Sequence, residues 1–135
     1  MSLDHQLTSF WAMAPIAVKY IARAQTRRAV GQLGLLTGAL LSLWRLLADP
    51  NEPDPGPLAA NRALEPELAQ RLPTLGERID PPECLGVLRA QCAAVEQLHA
   101  ALQALGVAIP AEMPVQVRRL ARLAEAVLRS RQPVS

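Results

Sequence analysis

The sequence predicts an all-α fold, an antiparallel bundle of four to five helices. Three observations predict it. Half of the 135 residues are hydrophobic and only 3% are aromatic, so the core must be built from Leu, Ala, Val and Ile. Leu and Ala favour helices, while the β-branched and aromatic residues that favour strands are few. Apolar residues recur every three to four positions along most of the chain. One domain fits the length, 1–135, interrupted by a proline-rich loop at 49–57.

The first helix is expected from about Ser9 to Arg23, with Thr8 or Ser9 as its N-cap. Phe10, Met13, Ala14, Ala17, Tyr20 and Ile21 form its apolar face. Pro15 lies inside this pattern and should kink or restart the helix. A short turn at Gln25 and Thr26 leads to a second helix from about Arg27 to Ala48, with Thr26 as its cap. Its stripe is Val30, Leu33, Leu36, Leu40, Leu43, Trp44 and Leu47, and further leucines beside the stripe make it the expected buried centre of the fold. Gly31, Gly34 and Gly38 each cost helix propensity of about 1 kcal/mol relative to Ala. Close approach of a neighbouring helix is the expected return.

Asp49 to Pro57 holds four prolines and a glycine, which excludes helix and strand. A short helix is expected around Pro66 to Arg71, then a turn over Leu72 to Ile79. Asp80-Pro81-Pro82-Glu83 is the clearest helix start: Asp80 caps, the prolines occupy the first turn, and Glu83 sits in capping-box position. That helix should stop at about Leu105 with Gly106 as its C′ residue. Its stripe is Leu85, Leu88, Cys92, Val95, then Leu98 or His99, then Leu102 or Leu105. The last helix is expected from about Pro114 to Arg129, with Val117, Leu120, Leu123 or Ala124, and Val127 or Leu128 facing the core.

Several function classes are excluded or disfavoured. The chain carries 14 basic and 12 acidic residues, net +2, and 13 of the 14 basic residues are Arg. This balance does not call for a nucleic-acid partner. Arg118, Arg122 and Arg129 share a stripe on the last helix, but no aromatic residues are interleaved for base stacking; a solvated helix face is the expectation, and nucleic acid is not an expected partner. No phosphate-binding glycine loop and no nucleophile motif is present, so no catalytic residue is assigned. Cys84 and Cys92, eight residues apart on one helix, would lie ~12 Å apart, too far for a disulfide. They read as reduced structural thiols of a cytoplasmic protein. Glu96 and His99 have the spacing of di-iron bundles. The first two helices, however, hold no Asp or Glu between Ser9 and Ala48. No metal and no cofactor is expected, and His99 reads as a partly buried structural histidine. The start shows no secretory signal. The uncharged stretch Ala29–Trp44 contains Gly34 and Gly38 in G-x-x-x-G spacing. It falls short of the ~20 residues a bilayer span needs, so no membrane is expected.

Phe10-Trp11, Ala17, Lys19-Tyr20-Ile21-Ala22-Arg23, Ala29, Leu33, Leu36, Leu40-Leu41 and Leu46-Leu47 together resemble the carboxy-terminal helical domain of aminoglycoside- and lincosamide-type nucleotidyltransferases. In that family an aromatic pair opens a helix that ends in a K-x-x-x-R segment, and a second helix with spaced leucines follows. The resemblance covers about 40 residues, Phe10 to Leu47. It implies a HEPN-like bundle that walls the nucleotide and acceptor cleft of a catalytic domain in cis or trans, with Lys19, Arg23 and Arg27 facing nucleotide or partner. The family's Gly-Ser and Asp-x-Asp catalytic motif is absent here, and so is the R-x4–6-H ribonuclease signature. The chain would be non-catalytic by itself; as part of an enzyme it would belong to a nucleotidyltransferase. The alternative is a stand-alone interaction module that homodimerises through the Gly34/Gly38 face or through Phe10, Trp11 and Trp44.

Overall fold

A computed structural model describes residues 3–48 and 79–131. Among these residues there are four helices and no strand. They are α1 (Leu3–Ala22), α2 (Thr26–Ala48), α3 (Pro81–Ala104) and α4 (Glu112–Ser130). The predicted proline-rich loop at 49–57 and the short helix at 66–71 lie outside the described residues.

The two hairpins are antiparallel, and each corner is a Schellman motif. At the first, Gln25 N–H donates to Tyr20 C=O (2.9 Å) and Ala24 N–H to Ile21 C=O (3.0 Å). The left-handed C′ position is held by Ala24, at φ +57°. At the second, Val107 N–H donates to Leu102 C=O (3.1 Å) and Gly106 N–H to Gln103 C=O (3.0 Å). The C′ residue there is Gly106, as expected, at φ +84°. Val107 and Leu102 are both buried, completing the apolar contact that accompanies this corner.

The hairpins are joined so that the helices run up, down, down, up. Gln91 in the first half of α3 meets Leu33 and Thr37 of α2, Arg89 and Arg118 join α3 to α4, and Arg131 at the end of α4 donates to the Ala22 carbonyl (2.9 Å). Hence α2 runs parallel to α3, and α1 to α4. α1 contacts all three other helices, whereas α2 and α4 lie across the diagonal from each other.

Helix α1 starts six residues before the expected Ser9, because Leu7 extends its buried face. Thr8 and Ser9 are therefore interior positions rather than caps. The helix continues through Pro15. Thr26 is the first helical residue of α2, and Gln25 C=O accepts the first intrahelical bond, from Ala29 N–H (2.9 Å). Asp80 caps α3 as predicted, accepting from Glu83 N–H (2.9 Å). α4 begins at Glu112 rather than Pro114, with Pro114 buried in its first turn.

The core is one cluster spanning all four helices, built mainly from Leu, Ala and Val around Phe10, Trp11 and Ile21. Two expectations about it fail. The first concerns α2, which is not enclosed on all sides. It buries Ala29, Leu33, Leu36, Ala39, Leu40 and Leu43, while Gly31, Gly34, Leu35 and Gly38 on the opposite side are exposed. The helices that touch every other one are α1 and α3, so α2 does not hold the central place. The second concerns Leu120 on α4: Val117, Ala124 and, partly, Leu128 face the core from among the expected positions, but Ala121 joins them in place of Leu120, and Leu120, Leu123 and Val127 lie on an exposed flank. Small residues let α4 lie close to its neighbours, and the larger leucines are displaced sideways.

Residues Thr26–Leu47 are long and apolar enough to cross a membrane by length and composition, with 33% of the most apolar window buried. The uncovered share includes the glycine face.

Candidate functional site

Each predicted site residue takes its exposure from the face of the helix that carries it. Phe10 and Trp11 lie on the inward face of α1 and are fully buried. Their rings meet edge to face, 5.2 Å between centroids at 89°. They are core residues, which removes both from the set of dimer-interface candidates. Trp44 is half-buried on α2. Gly34 and Gly38 are exposed, and a Cβ built on either, or on Gly31, meets nothing within 4 Å. The expected close approach of a neighbouring helix is therefore not made among the described helices. Leu35 stands among these glycines at 57% exposure. The result is a low strip on the outside of the bundle with one large apolar side chain projecting from it.

Lys19, Arg23 and Arg27 are brought together. The α1–α2 corner places them, with Arg28, at one end of the bundle, all exposed. Lys19 Nζ lies 5.1 Å from the Tyr20 ring centroid and the Arg28 guanidinium 5.9 Å from it, within cation–π range. None of the four cations makes an ion pair among the described residues. Arg27 and Arg28 occupy the first turn of α2, which holds no acidic residue. Cations there oppose the helix dipole. Among the described residues this corner carries four exposed cations and no ion pair to any of them.

Among the described residues no group of three or more His, Cys, Asp or Glu side chains gathers to hold a metal. The two thiols are free and buried. Burial pushes the Cys92 thiol up to about 12, Glu96 adds to the rise, and Arg118 opposes it. Burial raises Cys84 as well, helped by Glu83 and Asp80. Protonated thiols are poor nucleophiles, and both side chains serve as small apolar packing groups. The Glu96/His99 pair is not a unit. Glu96 is ion-paired with Arg118, and His99 accepts from Trp11 Nε1–H through Nε2 (3.3 Å). Burial lowers the His99 pKa, Glu96 pulling the other way. A neutral imidazole that accepts a bond from a core indole is structural. The arginines of α4 divide: Arg118 pairs with Glu96 and Arg129 with Glu125, while Arg122 pairs with no carboxylate among the described residues.

Sequence reasoning missed Gln91. It is 1% exposed, and its Nε2 donates to Leu33 C=O (3.2 Å) and Thr37 Oγ1 (2.7 Å). Its Oε1 is buried without a partner. Position 91 sits within one turn of Leu88 and Cys92 on the apolar stripe, and that is the signal by which it could have been found. No family model, no curated protein and no solved structure matches this chain.

Proposed function

We propose that this chain is a non-catalytic, cytoplasmic helical module that associates with a second copy of itself across the open face of α2. One observation carries the reading. Gly31, Gly34 and Gly38 present bare backbone to open space, on the side of α2 opposite its buried leucines. Glycine in a helix interior costs about 1 kcal/mol relative to Ala, and nothing among the described residues packs against these three to offset that. Positions without a Cβ allow two helices to approach closely. A two-fold pairing would seat the exposed Leu35 of each copy in the low strip of the other, as a self-complementary interface requires.

Light scattering on the purified chain tests the proposal. A dimer is expected for the natural sequence and a monomer for the Gly34→Leu/Gly38→Leu variant. A Cβ at these open positions meets nothing within 4 Å and leucine raises helix propensity, so helical circular dichroism should be retained. A natural chain that stays monomeric, or a variant that stays dimeric, overturns the proposal.

The cations at the α1–α2 corner, which make no ion pair among the described residues, favour a second reading. In it the bundle is the helical domain of a nucleotidyltransferase-like protein, with Lys19, Arg23 and Arg27 turned towards phosphates or the acidic rim of a catalytic domain in cis or trans. The surrounding coding sequence tests it. A Gly-Ser segment followed by Asp-x-Asp, in the same or an adjacent frame, is the expected result, and its absence from both overturns the reading.

A further inference from the structure

We propose that the groove between α3 and α4 binds an amphiphilic anion, with the apolar body lying on Ala93, Val115 and the accessible edge of Cys92 and the anionic head held by Arg122. The groove encloses about 360 Å³, within the range of small-molecule sites. It exists because small residues line both sides, Ala93 on α3 and Ala121 on α4. Its accessible apolar lining is Ala93 and Val115, backed by the buried Leu88, Cys92, Val117 and Ala121 at the outer edge of the core.

Charge on the rim selects the occupant. Arg89 is held by Glu125 (2.7 Å), which it shares with Arg129, and Arg118 by Glu96, so each of these two rim cations already has a carboxylate partner. Arg122 follows Arg118 by one turn, lines the same groove, is exposed, and meets no carboxylate among the described residues. A neutral or cationic occupant would leave its charge unanswered. A bare inorganic anion would leave the apolar lining wet. A single anionic head on an apolar body satisfies both, and a planar guanidinium suits carboxylate, sulfonate and phosphate alike. A medium-chain fatty carboxylate and an arylsulfonate are the two simplest members of that class.

The test uses the full chain and two probes, the fluorescent anilinonaphthalene sulfonate and decanoate as its competitor. Saturable fluorescence enhancement, reversed by decanoate, is expected for the natural chain. Arg122→Gln should weaken both ligands about tenfold, the size of one lost charge-assisted hydrogen bond. Ala93→Phe fills the groove from an exposed position and should abolish binding without loss of near-ultraviolet dichroism. Arg119→Gln, outside the groove, should change nothing. Decanol competing as well as decanoate would overturn the assignment of Arg122. Undiminished binding in Ala93→Phe, or no saturable binding by the natural chain, would overturn the site itself, including the case in which the groove instead takes an acidic helix of a protein partner.

Discussion

The two hairpin corners form a matched pair with one difference, and that difference can be measured. Both place a residue in the left-handed region at C′, Ala24 at φ +57° and Gly106 at φ +84°. An L-residue with a Cβ loses about 1–2 kcal/mol there. Replacing Ala24 by Gly removes that strain but frees the unfolded chain, which returns about 0.4–1 kcal/mol. The net gain for Ala24→Gly is about 0.5–1 kcal/mol. For a chain of this length that corresponds to about 2–5 °C in Tm. Gly106→Ala should lose a similar amount, and the loss is purely conformational because a Cβ at 106 meets nothing within 4 Å. The corners lie at opposite ends of the bundle and share no partner, so the double variant should fall near the natural stability. Urea unfolding followed by circular dichroism reads all three. The reasoning is refuted if Ala24→Gly fails to raise the midpoint while Gly106→Ala lowers it.

Two further outcomes follow from buried polar groups. The His99 pKa is held below its ordinary 6.5, so as pH falls the unfolded chain takes up the proton first. Stability from His99 is therefore complete above about 6.5 and is lost as pH drops through the folded value. The urea midpoint should decline from about pH 7 to about pH 5 more steeply for the natural chain than for His99→Gln, which can still accept from Trp11; equal slopes would contradict the assignment. Gln91→Glu replaces a buried double donor with a carboxylate facing Leu33 C=O and Thr37 Oγ1. It should destabilise by about 3 kcal/mol or more at neutral pH, with partial recovery on acidification; a loss below about 1 kcal/mol would mean that position 91 is wetter than its 1% exposure indicates.

Helix ends were legible where local chemistry marks them, at the two ends of α3, and not at the starts of α1, α2 and α4. Asp80-Pro81-Pro82-Glu83 and Gly106 specify a start and a stop by hydrogen-bond demand alone, and both stand where expected. The Ala24 corner was not legible, since Ala carries no preference for positive φ. Helix faces were read less well. On α4 the periodicity allowed two overlapping stripes: hydrophobicity chose Leu120 over Ala121 and left Leu123 and Ala124 as alternatives. The nearness of neighbouring helices selects the smaller set, and that is a tertiary property. Trp11 was missed as core for a related reason: one helix's pattern does not tell on which flank of its stripe the next helix will lie. The glycines of α2 were noticed, but their direction was not. Spacing shows that Gly34 and Gly38 share a face, and only the packed bundle shows that this face is uncovered. The α3–α4 groove is lined by Ala93 and Ala121 from two different helices, so no linear motif marks it.

Since α1 and α4 point the same way, Leu3 and Arg131 emerge at opposite poles of the molecule, separated by about the ~30 Å length of a twenty-residue helix. Any polypeptide fused before the first and any fused after the last would be held apart by a rigid strut, facing away from each other. Closing the chain into a circle would demand a linker of at least ~9 extended residues, whereas a bundle of the same four helices with neighbours alternating in direction throughout would bring both termini to one pole.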